Sequence, residues 1–184
     1  RKHVDQTGAL AISNPQNPTG RAYTEAELGK LSSLLLEKDL LVLSDEIHCP
    51  LIIDETKNHT PLAKLNESLL SRTITFYGAT KAYNMPGLGC AAAVIPDDSV
   101  RERFKKASSG LLPSIGPLNY AATEAALRDT SSWIDTLNRG LRQNYEELKQ
   151  VTGDRITNVE ATYLAWIYVG DLKQRDAKEY FEQY

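Results

Sequence analysis

The sequence predicts an α/β fold, a sheet layered with helices, and three observations predict it. Short apolar runs alternate with stretches of helical period along the chain. The run Leu40-Leu41-Val42-Leu43 is continuously apolar, as in a parallel strand covered on both faces. Polar, Gly- and Pro-rich loops follow the strands at the ends where open α/β sheets bind ligands.

The elements follow in order. Residues 9–13 form a short apolar strand closed by Asn14-Pro15-Gln16-Asn17-Pro18-Thr19-Gly20, a double Asn-Pro turn. Thr24 then opens a helix, because Thr24 and Glu27 have the spacing of a capping box and Leu28, Leu31 and Leu35 line one face. Residues 40–44 are the second strand, with Asp45 at its C-terminal end. Residues 73–77 and 90–95 are two more strands. The segment between them carries three glycines and a proline and is too irregular for an ordinary hairpin.

After Pro96 the pattern turns helical, over 99–107 and then over the Ala-rich 117–128. Ile134, Leu137, Leu141, Tyr145 and Leu148 recur at steps of three and four, which predicts a long amphipathic helix. Residues 162–169, rich in Tyr, Trp and β-branched side chains, predict a return to strand, and 174–184 a last helix. A second unit is expected to begin near Asp154. The chain lacks an initiator Met and its last helix meets no closing strand, so it is expected to be part of a longer enzyme.

Composition narrows the class. A chain of 184 residues with 41% hydrophobic content can bury one sizeable core, and a net charge of −3 carries no basic excess for nucleic acid. Cys49 and Cys90 have neither the number for a disulfide framework nor the neighbours of a zinc site, which favours a reducing compartment and no metal. The apolar runs are far short of a membrane span and no apolar stretch follows Arg1-Lys2-His3, so a cytoplasmic location is expected.

The chemistry lies in two motifs, Asp45-Glu46-Ile47-His48 and Thr80-Lys81-Ala82-Tyr83-Asn84. They place a carboxylate and a lysine where an aldehyde cofactor, pyridoxal 5'-phosphate, needs them. Its aldehyde bonds to an amino group, so it needs a lysine, and Lys81 in a Gly-rich loop is the candidate. Its ring nitrogen stays protonated beside a fixed carboxylate, which Asp45 supplies. Its ring oxygen takes donors, and Asn17 and His48 are placed to give them. Singly, each has a plainer reading: a solvated lysine, a helix-capping Asp, a core histidine, an Asn-Pro turn. Their order at successive strand ends sets them apart.

Residues 14–20, 44–48 and 79–88 closely resemble the fold type I pyridoxal phosphate enzymes, the aspartate aminotransferase superfamily. Within it the chain is similar to the cystathionine β-lyase branch, the MalY/PatB-like C–S lyases. His48 stands where aminotransferases usually show Tyr, the first motif has the long Asn-Pro-Gln-Asn-Pro-Thr-Gly-Arg form, and Lys81 is followed by Ala-Tyr-Asn-Met-Pro-Gly-Leu. The likeness is most specific over 9–94 and beyond that rests on the helix pattern and on Ala161-Thr162-Tyr163-Leu164-Ala165-Trp166.

The resemblance implies a large domain built as a three-layer sandwich, present in part, followed by the start of an α+β small domain. Residues 1–130 would be the second half of the cofactor-binding domain, and 131–184 the interdomain helix and the start of the small one. It implies Lys81 as the residue that carries the cofactor and then takes the α-proton, Asp45 at the ring nitrogen, Asn17 and His48 at the ring oxygen, and Thr80 with Gly78 beside the phosphate. The family often has Ser at the position of Gly78, and aminotransferases commonly have Arg at the position of Gly89. The second departure fits the lyase branch; both together leave the phosphate fewer side-chain contacts, which backbone amides of the loop offset in part.

The implied activity is α,β-elimination from cystathionine or cysteine, giving a thiol, pyruvate and ammonia. An aminotransferase on the same scaffold and a non-catalytic domain that keeps the fold are the alternatives. A homodimer with sites at the subunit boundary and an amino-acid substrate are implied as partners. With the family's phosphate-binding turn and carboxylate-binding arginine expected outside 1–184, the isolated chain is expected to be weakly active or inactive.

Overall fold

The computed structural model describes residues 8–170. Four strands form one sheet in the order β1-β2-β3-β4: β1 Ala9–Ser13, β2 Leu41–Asp45, β3 Thr73–Gly78 and β4 Ala91–Val94. The first three are parallel, with Ser13 opposite Asp45 and Asp45 opposite Phe76, and β4 runs antiparallel to β3. The polar loops after β1, β2 and β3 therefore meet along one rim of the sheet.

Among the described residues five α-helices accompany the strands: α1 Glu25–Glu37, α2 Glu67–Leu70, α3 Asp98–Ser108, α4 Pro117–Leu127 and α5 Trp133–Thr152. The start of α1 is the capping box that the sequence encodes: the Glu27 amide donates to Thr24 Oγ1 and the Thr24 amide donates to the Glu27 carboxylate. Val42 and Ser44 alternate with Leu41, Leu43 and Asp45, so β2 presents opposite faces to two layers. Beneath the first face, Leu28 and Leu35 of α1 close a core with Leu40, Val42, Leu62 and Leu69. On the other face the ring of Phe104, in α3, lies 6.2 Å from that of Phe76. The mainly parallel sheet between helices is the α/β class that the sequence predicts.

The expected strand over 162–169 does not form. Thr162, fully buried, has φ +70, a left-handed conformation that interrupts an extended run and is rare for a β-branched residue. What remains of pairing is two isolated bridges, Ile52 to Ala161 and Ile156 to Ile167. The expected helix over 174–184 lies outside the described residues. Between β2 and β3 the chain adds two elements too short for periodicity to reveal, a 3-10 turn at Leu62–Leu65 and α2, whose Asn66 cap accepts from the Ser68 amide. Among the described residues no helix is long and apolar enough to cross a membrane.

Candidate active site

Asp45 is the last residue of β2, and the sheet fixes its backbone from both sides. The Asn14 amide donates to the Asp45 carbonyl at 3.0 Å and the Glu46 amide donates to the Phe76 carbonyl at 3.0 Å. The Asp45 carboxylate accepts the Ile47 amide at 3.2 Å. It lines an open depression of about 550 Å³ with Ala11, Ser13, Leu43, Ile47 and Phe76, an apolar floor with one acid at its edge. Lys81 and His48 do not line that depression.

His48, one turn further on, is 2% exposed, and neither ring nitrogen has a hydrogen-bond partner. The Tyr163 ring stands edge-on to it at 5.4 Å, interplanar angle 70°. Burial pushes the imidazole pKa below its ordinary value; the Asp45 charge raises it and the Lys81 charge lowers it further. A buried imidazole with two open nitrogens suits an oxygen-bearing ligand, since each buried polar atom otherwise lacks its partner.

Lys81 is half-buried in the turn that leaves β3. The Tyr83 amide donates to the Ala79 carbonyl and the Met85 amide to the Thr80 carbonyl, both at 3.0 Å. Trp133 Nε1, from the first turn of α5, donates to the Ala82 carbonyl at 2.9 Å, so the fully buried residue after the lysine is held from across the fold. Gly78 ends β3; a Cβ built there would meet the Cys90 carbonyl oxygen at 3.4 Å, ordinary contact, so space does not demand glycine.

Asn17 stands apart. It is exposed in a loop whose two Asn-Pro bonds are cis, and among the described residues no hydrogen bond joins it to Asp45, His48 or Lys81. Asn14 is the buried member of the motif: its Nδ2 donates to the Thr60 carbonyl at 3.2 Å and its Oδ1 accepts the Tyr23 amide at 3.1 Å. Its signal in the sequence is its place directly after a strand, the same rank that Asp45 holds. Buried Glu46 and partly buried His59, 2.8 Å apart, are also not singled out by sequence, nor is Trp133. Cys49 lies beside them, and burial, with the Glu46 charge adding, pushes its thiol up to about 12, so it offers no thiolate near neutral pH.

The chain is similar to known proteins over nearly all of its length. The family model for aminotransferase class I and II matches residues 1–182. Cystathionine β-lyase PatB of Bacillus subtilis (strain 168) is 33% identical over 164 residues, 85% of this chain and 42% of that protein. The crystal structure of OvoB superposes with a TM-score of 0.92 at 35% identity, covering 99% of this chain and 50% of that one. Cystalysin from Treponema denticola, whose crystal structure contains a pyridoxal 5'-phosphate cofactor, superposes with a TM-score of 0.89 at 30% identity over 98% of this chain and 48% of its own. The chain thus spans half the length or less of these relatives.

Proposed function

The chain belongs to the aminotransferase class I and II family, and on that premise we propose that it carries the cofactor-binding centre of a pyridoxal phosphate-dependent C–S β-lyase acting on cystathionine- or cysteine-type amino acids. The observation that carries the reading is a buried histidine with two unpartnered ring nitrogens, three residues after the Asp45 that ends β2. C–S lyases among the relatives support the reaction class, as does His48 at the position where aminotransferases usually show Tyr. When bound, pyridoxal phosphate supplies an aldehyde that bonds to amines and a ring that takes up the electron pair released at the substrate α-carbon.

Each residue then has a task. Lys81 would hold the cofactor through Nζ and, with that amine free, would take the substrate α-proton at the same atom. Asp45 would keep the proton on the ring nitrogen, where a carboxylate favours the charged form. His48 and Asn17 would bind the ring oxygen; Thr80 and the Gly78 backbone would bind the phosphate. We propose further that residues 1–130 belong to the large domain and 131–184 open the small one, in a homodimeric cytoplasmic enzyme.

Given cystathionine, the full-length protein is expected to release pyruvate and ammonia. Lys81→Ala is expected to lower the rate by at least about a thousandfold, because it removes both the tether and the base. Keto-acid release unchanged by that substitution would reject the assignment. Amino-group transfer to a 2-oxo acid with the β-substituent retained would instead make the protein an aminotransferase.

A further inference from the structure

Glu46 follows Asp45 in the chain, is only 3% exposed, and has no part in the chemistry above. A carboxylate so enclosed needs partners, and it has three. Ser44 Oγ donates to Oε1 at 2.8 Å, the Leu62 amide donates to the same oxygen at 3.4 Å, and His59 Nε2 lies 2.8 Å from Oε2. His59 Nδ1 is buried without a partner.

The direction of the two acids matters. Ser44 is fully buried against the α1 side of the sheet, and the Glu46 carboxylate reaches it there, whereas Asp45 faces the open depression. The Glu46 backbone is tied as well: its amide donates to Phe76 and its carbonyl accepts the Cys49 amide at 3.0 Å. One side chain thus grips, from beneath the sheet, the peptide that carries Asp45 on top. His59 and Leu62 bring the 59–62 segment into the same grip.

Resting on the cofactor reading above, we propose that Glu46 and His59 form a positioning pair for Asp45, holding its carboxylate in register with the cofactor ring nitrogen. A lock that served stability alone would weaken cofactor affinity equally with and without Asp45; a positioning pair would weaken it only when Asp45 is present.

The test is a double-mutant cycle on the full-length protein, reading pyridoxal phosphate affinity from the visible band of the lysine-bound cofactor, with the Tm of each cofactor-free variant alongside. Glu46→Gln keeps the volume and the acceptor for Ser44 and Leu62 but removes the charge opposite His59. It is expected to weaken affinity about tenfold with Asp45 present, and less than about twofold in the Asp45→Asn background. Equal losses in both backgrounds would overturn the proposal. Should Glu46→Gln fail to fold, His59 carries the test. His59→Gln still donates to Oε2 and is expected to stay within about threefold of wild type, whereas His59→Leu loses about tenfold, again only when Asp45 is present. Wild-type affinity in His59→Leu would overturn the pair. A wild-type protein that shows no band, or an Asp45→Asn variant that binds as tightly as wild type, would overturn the cofactor reading itself, and the positioning role with it.

Discussion

The Tyr163 ring stands edge-on to buried His48, and burial is the largest influence on the His48 ring. In the unfolded chain it takes a proton near 6.5, while in the fold it does so only at lower pH. Between those values the unfolded state binds more protons, so the contribution of His48 to stability is complete above about pH 6.5 and is lost as the pH falls. His48→Phe keeps an aromatic edge for Tyr163 and removes the titration. Its Tm is expected to fall less steeply than that of wild type between about pH 6.5 and 5; matching slopes would remove His48 as the cause. At this scale Asp45, His48 and Lys81 stand out in the sequence because their types and their positions after strands restrict their chemistry. Glu46 was not, since an acid beside an acid reads as surface charge until the alternation of the strand turns one of them inward.

Helix α1 shows how far local signals reach. Backbone donation from Thr24, then the Arg21 side chain and the Thr24 hydroxyl, hold the Glu27 carboxyl down to about 2. A depressed carboxyl contributes in full above its unfolded value of 4.5 and loses that contribution as the pH falls through about 2. Thr24→Ala is expected to cost about 1 kcal/mol near neutral pH. In paired thermal melts, the gap from wild type should narrow as the pH nears 2; a constant gap would show that the carboxylate has no share in the cap. The strands β1 to β4 were legible within one residue or so at their ends, because each is an apolar run closed by turn residues. The run from Thr162 misled for a physical reason. Composition there favours a strand, but the Leu164 amide donates to Thr162 Oγ1 at 3.1 Å and the local bend outweighs side-chain preference.

Across the whole molecule, segments far apart in sequence close on one another at Gly20. Its φ is +73, and its carbonyl accepts the amides of both Glu160 and Ala161 at 2.8 Å. The Glu160 carboxylate, itself buried, accepts the Ala22 amide at 2.9 Å and pairs with Lys57 at 3.1 Å. The Asn17 loop, the stretch after β2 and the stretch after α5 are thereby fastened together. A Cβ at Gly20 would lie 2.7 Å from Val159 Cγ1 and 3.0 Å from the Ala161 carbonyl oxygen. Gly20→Ala is therefore expected to lower unfolding free energy by about 2 kcal/mol or more, read as a lower urea midpoint; an unchanged midpoint would mean that the 159–161 segment yields freely. None of this closure is visible in the sequence, where Gly20 reads as a turn glycine and Glu160 as a charge. The reversal of β4 bears on Lys81 in a different way. Gly78 and Ala91 face each other in the ladder, so the loop between them is a ring clasped at its base, with the lysine near the clasp. Such a ring can flex but cannot slide, so the Lys81 amine travels by rotation about its own side-chain bonds and its resting place is set by the clasp.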